Sequence, residues 1–153
     1  MSTGARALAQ TQAQEENKAI ARRHFEELWA RGDLTVADEI YSTSAVGRHL
    51  GSPDHGGYPE CERQHVLENN TAFPDTSVTV EDQVAEGDRV VTRWTFRGSH
   101  TAAPYMGVPP SGRQLRVSGV HIHRIVDGKI VEVWAYPDAL SFLQQLGVIP
   151  PLG

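Results

Sequence analysis

His121 and His123 lie two residues apart in "RQLRVSGVHIHRIV". On a β-strand that spacing turns both imidazoles to one face, beside Gly119 and Ile125. An imidazole titrates near pH 6.5, so two on one wall suit proton transfer close to neutrality. Three uses stay open: acid/base work, a metal pair completed by His49 or His100, or two hydrogen-bonded rings that only shape a hollow. No third ligand at metal spacing, such as His-x-x-x-Glu, accompanies the pair, so a metal is not expected.

Other reactive side chains are more scattered. The stretch "HTAAPYMGVPPSGR", residues 100–113, is a long loop carrying His100, Tyr105 and Met106, which could cover an apolar ligand. Its prolines and Gly112 could equally serve only to fix a turn. Cys61 and His65 share one helical face, but a thiol beside one imidazole is a thin case for a nucleophile. Arg97 and Arg113 could steady a carboxylate or simply be solvated. In "KIVEVWAYPD", residues 129–138, alternation gives one small apolar face of Val131, Val133 and Ala135. The other face carries Ile130, Glu132, Trp134 and Tyr136. There is no P-loop, dinucleotide fingerprint, G-x-S-x-G or zinc-finger spacing.

These residues must be positioned by helices first and strands after. Residues 1–14 read as a flexible polar tail, and 15–150 as one domain. Residues 15–31 have helical period, with Ile20, His24, Phe25, Leu28 and Trp29 on one stripe and Gly32 as the stop. Asp33 should cap a short helix over 34–41, followed by a loop through 42–60. A third helix is expected over 60–72, ending before Pro74. From residue 76 the period becomes two. Asp127-Gly128 marks a hairpin, and Asp138 is placed to cap a last helix, "ALSFLQQLG". The order predicts an α+β fold: a curved antiparallel sheet with the N-terminal helices across its concave face, forming a cone open at one end.

The chain has 153 residues and a net charge of -5 with both signs intermixed, which argues against nucleic acid or an anionic membrane as partner. No apolar run approaches the roughly 20 residues a membrane span needs. The first residues lack the basic and apolar regions of a secretory signal. One cysteine allows no internal disulfide, so a cytoplasmic setting is expected.

Four phrases then stand out: "FEELWARGDLTVADEIY", "AFPDTSVTVEDQVAEGDRVVTRWTFRGSH", "GVPPSGRQLRVSGVHIHRIVDGKIVEVW" and "DALSFLQQLG". Together they resemble the SnoaL-like polyketide (ester) cyclase family over roughly residues 17–147. The resemblance implies the nuclear transport factor 2-like, or cystatin-like, cone. It also implies ring closure of a polyketide precursor by intramolecular aldol chemistry without metal or cofactor. The family's acid just after the last-strand tryptophan falls on Ala135, and the position before that tryptophan on Val133. The family's pocket histidine falls on His121. On this reading Val131, Val133 and Ala135 face the pocket, and His121 is the best remaining base, assisted by His123 or His49. Phe25, Trp94, His100, Tyr105 and Met106 would complete the substrate wall. The substrate would be a hydrophobic, polyketide-derived small molecule, and the protein a homodimer through its outer sheet face. The alternative is an accessory binding protein that supports a tailoring hydroxylation.

Overall fold

Strand β3, Arg89–Ser99, shows why this chain makes a two-faced sheet. Val90, Thr92, Trp94 and Phe96 are buried, while Arg89, Val91, Arg93 and Arg97 face outward. The structure, a computed structural model, describes residues 2–49 and 57–153, without the side chain of His49. β3 is flanked by β2, Ser77–Glu86, and β4, Gln114–Val126; β4 then pairs with β5, Lys129–Pro137. Asp127 and Gly128, with φ of 50° and 75°, make the tight turn between β4 and β5 that their sequence announced.

The α+β cone stands, with one departure. Residues 41–49, expected as helix end and loop, form strand β1, which pairs in parallel with β5 at the sheet edge in the order β1-β5-β4-β3-β2. Four strands are antiparallel neighbours and one is not. "YSTSAVGRH" has no clean alternation and many turn formers, so its strand character comes from the partner's backbone rather than from its own pattern.

A second departure sits on β5. The pairing of Arg124 with Glu132 and Ile125 with Ile130 leaves Val131 as an extra residue, a β-bulge. The inward face is therefore Ile130, Val133 and Ala135, all buried, rather than Val131, Val133 and Ala135. The other face looks outward. There Trp134 lies between the guanidinium groups of Arg48 and Arg89, at 5.8 and 5.6 Å, and Glu132 accepts from Arg124 at 2.7 Å.

The helices cross the inner face. α1 runs Thr3–Arg23, so most of the expected tail is helical, capped by Ser2 Oγ accepting from the Ala5 N–H at 3.2 Å. Residues 3–14 are good helix formers, but they carry no apolar stripe, and all but Ala21 of this helix stays unburied. Residues 24–29 then widen into a π-helical turn in which the Ala30 N–H reaches back to Phe25 O at 2.9 Å. That turn buries His24, Phe25 and Leu28 together. A short α2, Val36–Ile40, follows, and α3 spans Glu60–Ala72, the bounds read from the sequence. The Asn70 side chain donates to Trp29 O at 3.0 Å and ties α3 to the π-helical turn. α4, Ala139–Leu146, is capped by Asp138, whose Oδ1 accepts from the Ser141 N–H at 3.0 Å. It packs on the part of β4 that β5 leaves unpaired, where Gln145 makes both backbone hydrogen bonds of Arg116.

The core has two parts. One surrounds Leu28, Ile40, Tyr41, Val90 and Ile130 at the closed end. The other, around Phe25, Phe73, Trp94, Phe96 and Val117, walls the open end. Gly119 is the tight point of that wall, because a Cβ there would sit 2.3 Å from the Trp94 ring. Gly119→Ala is expected to cost about 1–3 kcal/mol through forced repacking, measured as a lower urea midpoint at unchanged m-value.

Candidate functional site

Between the π-helical turn, α3 and the inner sheet face lies a cavity of about 300 Å³. That is the lower end of the size of small-molecule pockets. One side is apolar and largely aromatic: Phe25, Trp94, Phe96, Tyr105, Val117 and Phe142. The other carries His24, Glu62, His65, Asn69 and His121. No lysine or arginine lines it among the described residues.

His121 stands on this wall, one strand away from Ala135, its register partner on β5. Its Nδ1 accepts a hydrogen bond from the Trp94 indole N–H at 2.8 Å. An indole N–H only donates, so Nδ1 must hold the lone pair, and the proton of the neutral ring sits on Nε2. The neutral His121 ring is thus fixed as an Nε2–H donor. In that tautomer the lone-pair nitrogen is turned to Trp94 and Nε2 carries the ring's N–H.

Three imidazoles meet here, His24 and His121 on the cavity wall and His123 beneath them. The ring centroids of His24 lie 5.2 Å from His121 and 5.0 Å from His123, and His121 and His123 are 5.6 Å apart. His24 Nδ1 is 2.7 Å from the Tyr41 hydroxyl and 3.8 Å from Glu62. Burial pushes the Tyr41 phenol well up, so it stays a neutral partner to that ring. Glu62 is only 3% exposed, yet it is well partnered. The Trp29 N–H donates to its Oε1 at 2.6 Å, and the Tyr58 hydroxyl hydrogen-bonds it as well. His65, one turn on, has Nδ1 at 3.9 Å from Glu62 Oε2.

Several expected site residues sit elsewhere. His123 does not line the cavity: it is 0% exposed, packed under His24 and Phe25, with neither ring nitrogen hydrogen-bonded among the described residues. Burial lowers its pKa to about 3, so it is neutral. Val133 is sealed in the closed-end core, because its position one pair nearer the hairpin lies below the cavity floor. His100 is buried against Phe73, and its Nε2 bonds Ala103 O at 2.8 Å; it clasps its own loop instead of facing a ligand. Met106 is 61% exposed at the tip of that loop, with φ 49°, in the two-residue turn between Tyr105 and Val108. The side chain of His49 lies outside the described residues; its backbone pairs with Ala135. Phe25, Trp94, Tyr105, His121 and Ala135 do line the cavity.

The sequence reading missed His24, Glu62, His65 and Asn69 as cavity residues. A signal existed for α3. Glu62, Val66 and Asn69 recur at helical spacing on its inward face, where a carboxylate is out of place unless it is used. His24 was placed on the apolar stripe, where it read as core. Cys61, next to Glu62, has its thiol pushed up by burial and by that carboxylate, which makes it a poorer nucleophile. No group of three or more His, Cys, Asp or Glu side chains is arranged to hold a metal among the described residues. Among the described residues no helix is long and apolar enough to cross a membrane.

The family model for SnoaL-like polyketide cyclase matches residues 19–146. This chain belongs to the SnoaL-like polyketide cyclase family. Among solved structures, IdmH of Streptomyces antibioticus, a proposed polyketide cyclase, is 33% identical; the match covers 86% of this chain and 98% of that one, with a TM-score of 0.71. AclR of Streptomyces galilaeus, a proposed hydroxylase, is 29% identical over 92% of this chain and 86% of its own, with a TM-score of 0.79. A proposed SnoaL-like polyketide cyclase from Jannaschia sp. CCS1 is 25% identical over 90% and 95%, with a TM-score of 0.79. No curated protein sequence matches. Within this SnoaL-like frame the last-strand position after the tryptophan is a methyl, Ala135, and it does face the cavity.

Two outcomes are expected. Trp94→Phe removes the donor to His121 Nδ1, so ring ¹⁵N shifts should show the Nε2–H tautomer in the wild type and a mixture in the variant. His123 has a folded pKa of about 3 against 6.5 for the free group, so the unfolded chain binds the extra proton. The neutral ring's contribution is complete above pH 6.5 and is lost as pH falls toward 3. At about 1.4 kcal/mol per pH unit the loss across that window is roughly 4–5 kcal/mol. Stability measured by denaturant titration at several pH values should show this slope, and His123→Leu should flatten it.

Proposed function

We propose that the protein is a cofactor-free cyclase-type enzyme of secondary metabolism that moves protons on a hydrophobic, polyketide-derived molecule held in the cavity. The observation that supports this most is His121, placed on the wall of an aromatic-lined hollow with its Nδ1 fixed by Trp94. In an intramolecular aldol closure a carbon acid loses a proton to form an enolate, and the acceptor carbonyl becomes an alkoxide. Both steps build negative charge on oxygen. A fixed Nε2–H on the wall of a largely apolar hollow stabilises that charge without reorganising. His121 is thus the acid side of the chemistry, in the cavity where Ala135 has no proton to exchange.

The second reading is an accessory protein that binds a reactive intermediate and supports a tailoring hydroxylation. The methyl at Ala135 favours it, as does the likeness to AclR. A homodimer through the outer sheet face, in a cytoplasmic setting, belongs to either reading.

Purified protein incubated with an aromatic polyketide ester should yield the cyclised product, and His121→Ala should lower kcat by about 10²–10⁴-fold with the melting temperature little changed. Full turnover by that variant removes His121 from the chemistry. A rise in melting temperature with the ester but no product selects the accessory reading.

A further inference from the structure

We propose that Asn69 decides which molecules the cavity keeps: its Oδ1 accepts a hydrogen bond from a ligand hydroxyl, so the site takes uncharged aromatic molecules that carry a free phenol or enol. The inference rests on the small-molecule reading above, but not on its proton transfers.

Asn69 lies on the inward face of α3 with Glu62 and lines the cavity, yet it is only 4% exposed. Its Nδ2 donates twice, to Asn70 Oδ1 at 2.9 Å and to Thr76 Oγ1 at 3.1 Å. An amide nitrogen carries two hydrogens, so both are used. Neighbouring bonds fix this orientation. Asn70 donates its own Nδ2 to Trp29 O at 3.0 Å, so it turns Oδ1 toward Asn69. The Thr76 hydroxyl gives its one hydrogen to Phe73 O at 2.7 Å, so toward Asn69 it can only accept. Turning the Asn69 amide around would set oxygen against oxygen twice.

The atom left over is Asn69 Oδ1, which has no hydrogen-bond partner among the described residues. The sealed side-chain atoms without a partner, among the described residues, belong to His100 and His123. Oδ1 is not one of them, so it reaches open space, and for a side chain this buried that space is the cavity. A ligand that fills the cavity takes solvent away from this oxygen. A hydroxyl restores the bond, while a methyl in its place leaves the acceptor desolvated and unmet. A site built to bond a hydroxyl rejects the analogue without one far better than an apolar pocket rejects one methylene. The rings of Phe25, Trp94, Tyr105 and Phe142 supply the flat apolar surface for the rest of such a ligand. In a biosynthetic sequence, a step that alkylates or glycosylates the bonded oxygen then has to follow this protein, because it removes the hydrogen that Asn69 accepts.

2-Naphthol and 2-methylnaphthalene make the test. They share one flat shape, and only the first has a hydrogen to donate. Calorimetry should show that Asn69→Leu lowers the preference for 2-naphthol over 2-methylnaphthalene by about 10-fold, the worth of one net hydrogen bond. That substitution also takes the donor from Asn70 and Thr76, so the wild type carries a readout of its own. Its Asn69 Cγ resonance should lie downfield with 2-naphthol bound relative to 2-methylnaphthalene bound. A preference unchanged in Asn69→Leu, or a Cγ resonance in the same place with both compounds, overturns the assignment and leaves the cavity a small-molecule site. Binding of neither compound to the wild type overturns the small-molecule reading as well.

Discussion

The hydrogen bond from Trp94 to His121 organises the open end of this molecule. It depends on backbone that has no side chain to get in the way: Gly119 lets the indole lie flat on β4, opposite it in the β3–β4 register. The indole then does two jobs. Its ring forms part of the apolar wall, and its N–H decides which nitrogen of His121 keeps a proton. Phe25 closes the arrangement from above, stacked on Trp94 at 6.4 Å and edge-on to His121 at 5.3 Å. The imidazole is thus held between Trp94 and Phe25, with its Nδ1 kept on the indole.

A second constraint works from the helices. The π-helical turn at residues 24–29 spends one extra residue to bring His24, Phe25 and Leu28 inward together, and it aims the Trp29 N–H at Glu62. Glu62 in turn joins the first helix, α3 and Tyr58 around one carboxylate. Polar groups buried this way are expensive unless fully bonded, and nearly all of these are. Two histidines are the exceptions among the described residues: His100 leaves its Nδ1 without a partner, and His123 keeps two unsatisfied nitrogens and a neutral ring, a cost the aromatic packing around it has to offset.

Much of this was legible beforehand, for physical reasons. The end of α3 followed from Pro74 after a helical run, and the β4–β5 hairpin from Asp127-Gly128, whose residues tolerate positive φ. Trp94, His121 and Ala135 reached the cavity because period two is strict along an unbroken strand. What failed was non-local or non-periodic. β1 exists because β5 offers an edge, which no window of β1 reveals. The bulge at Val131 shifts alternation by one and carries no residue signature here. The π-helical turn likewise leaves the apolar spacing of residues 20–29 readable as plain helix. His100 and Met106 went wrong together, because a loop's composition names its residues but not the way its clasp turns them.

The charge balance of the hollow has a selective effect. Its wall holds one carboxylate and, among the described residues, no lysine or arginine. A ligand bearing its own free carboxylate or phosphate would lose its water to meet a like charge, with only imidazole and indole N–H groups to offset it. The lining is therefore a filter on ionisation: a masked acid, such as an ester or lactone, or an uncharged phenol enters it at a lower desolvation cost than the ionised counterpart.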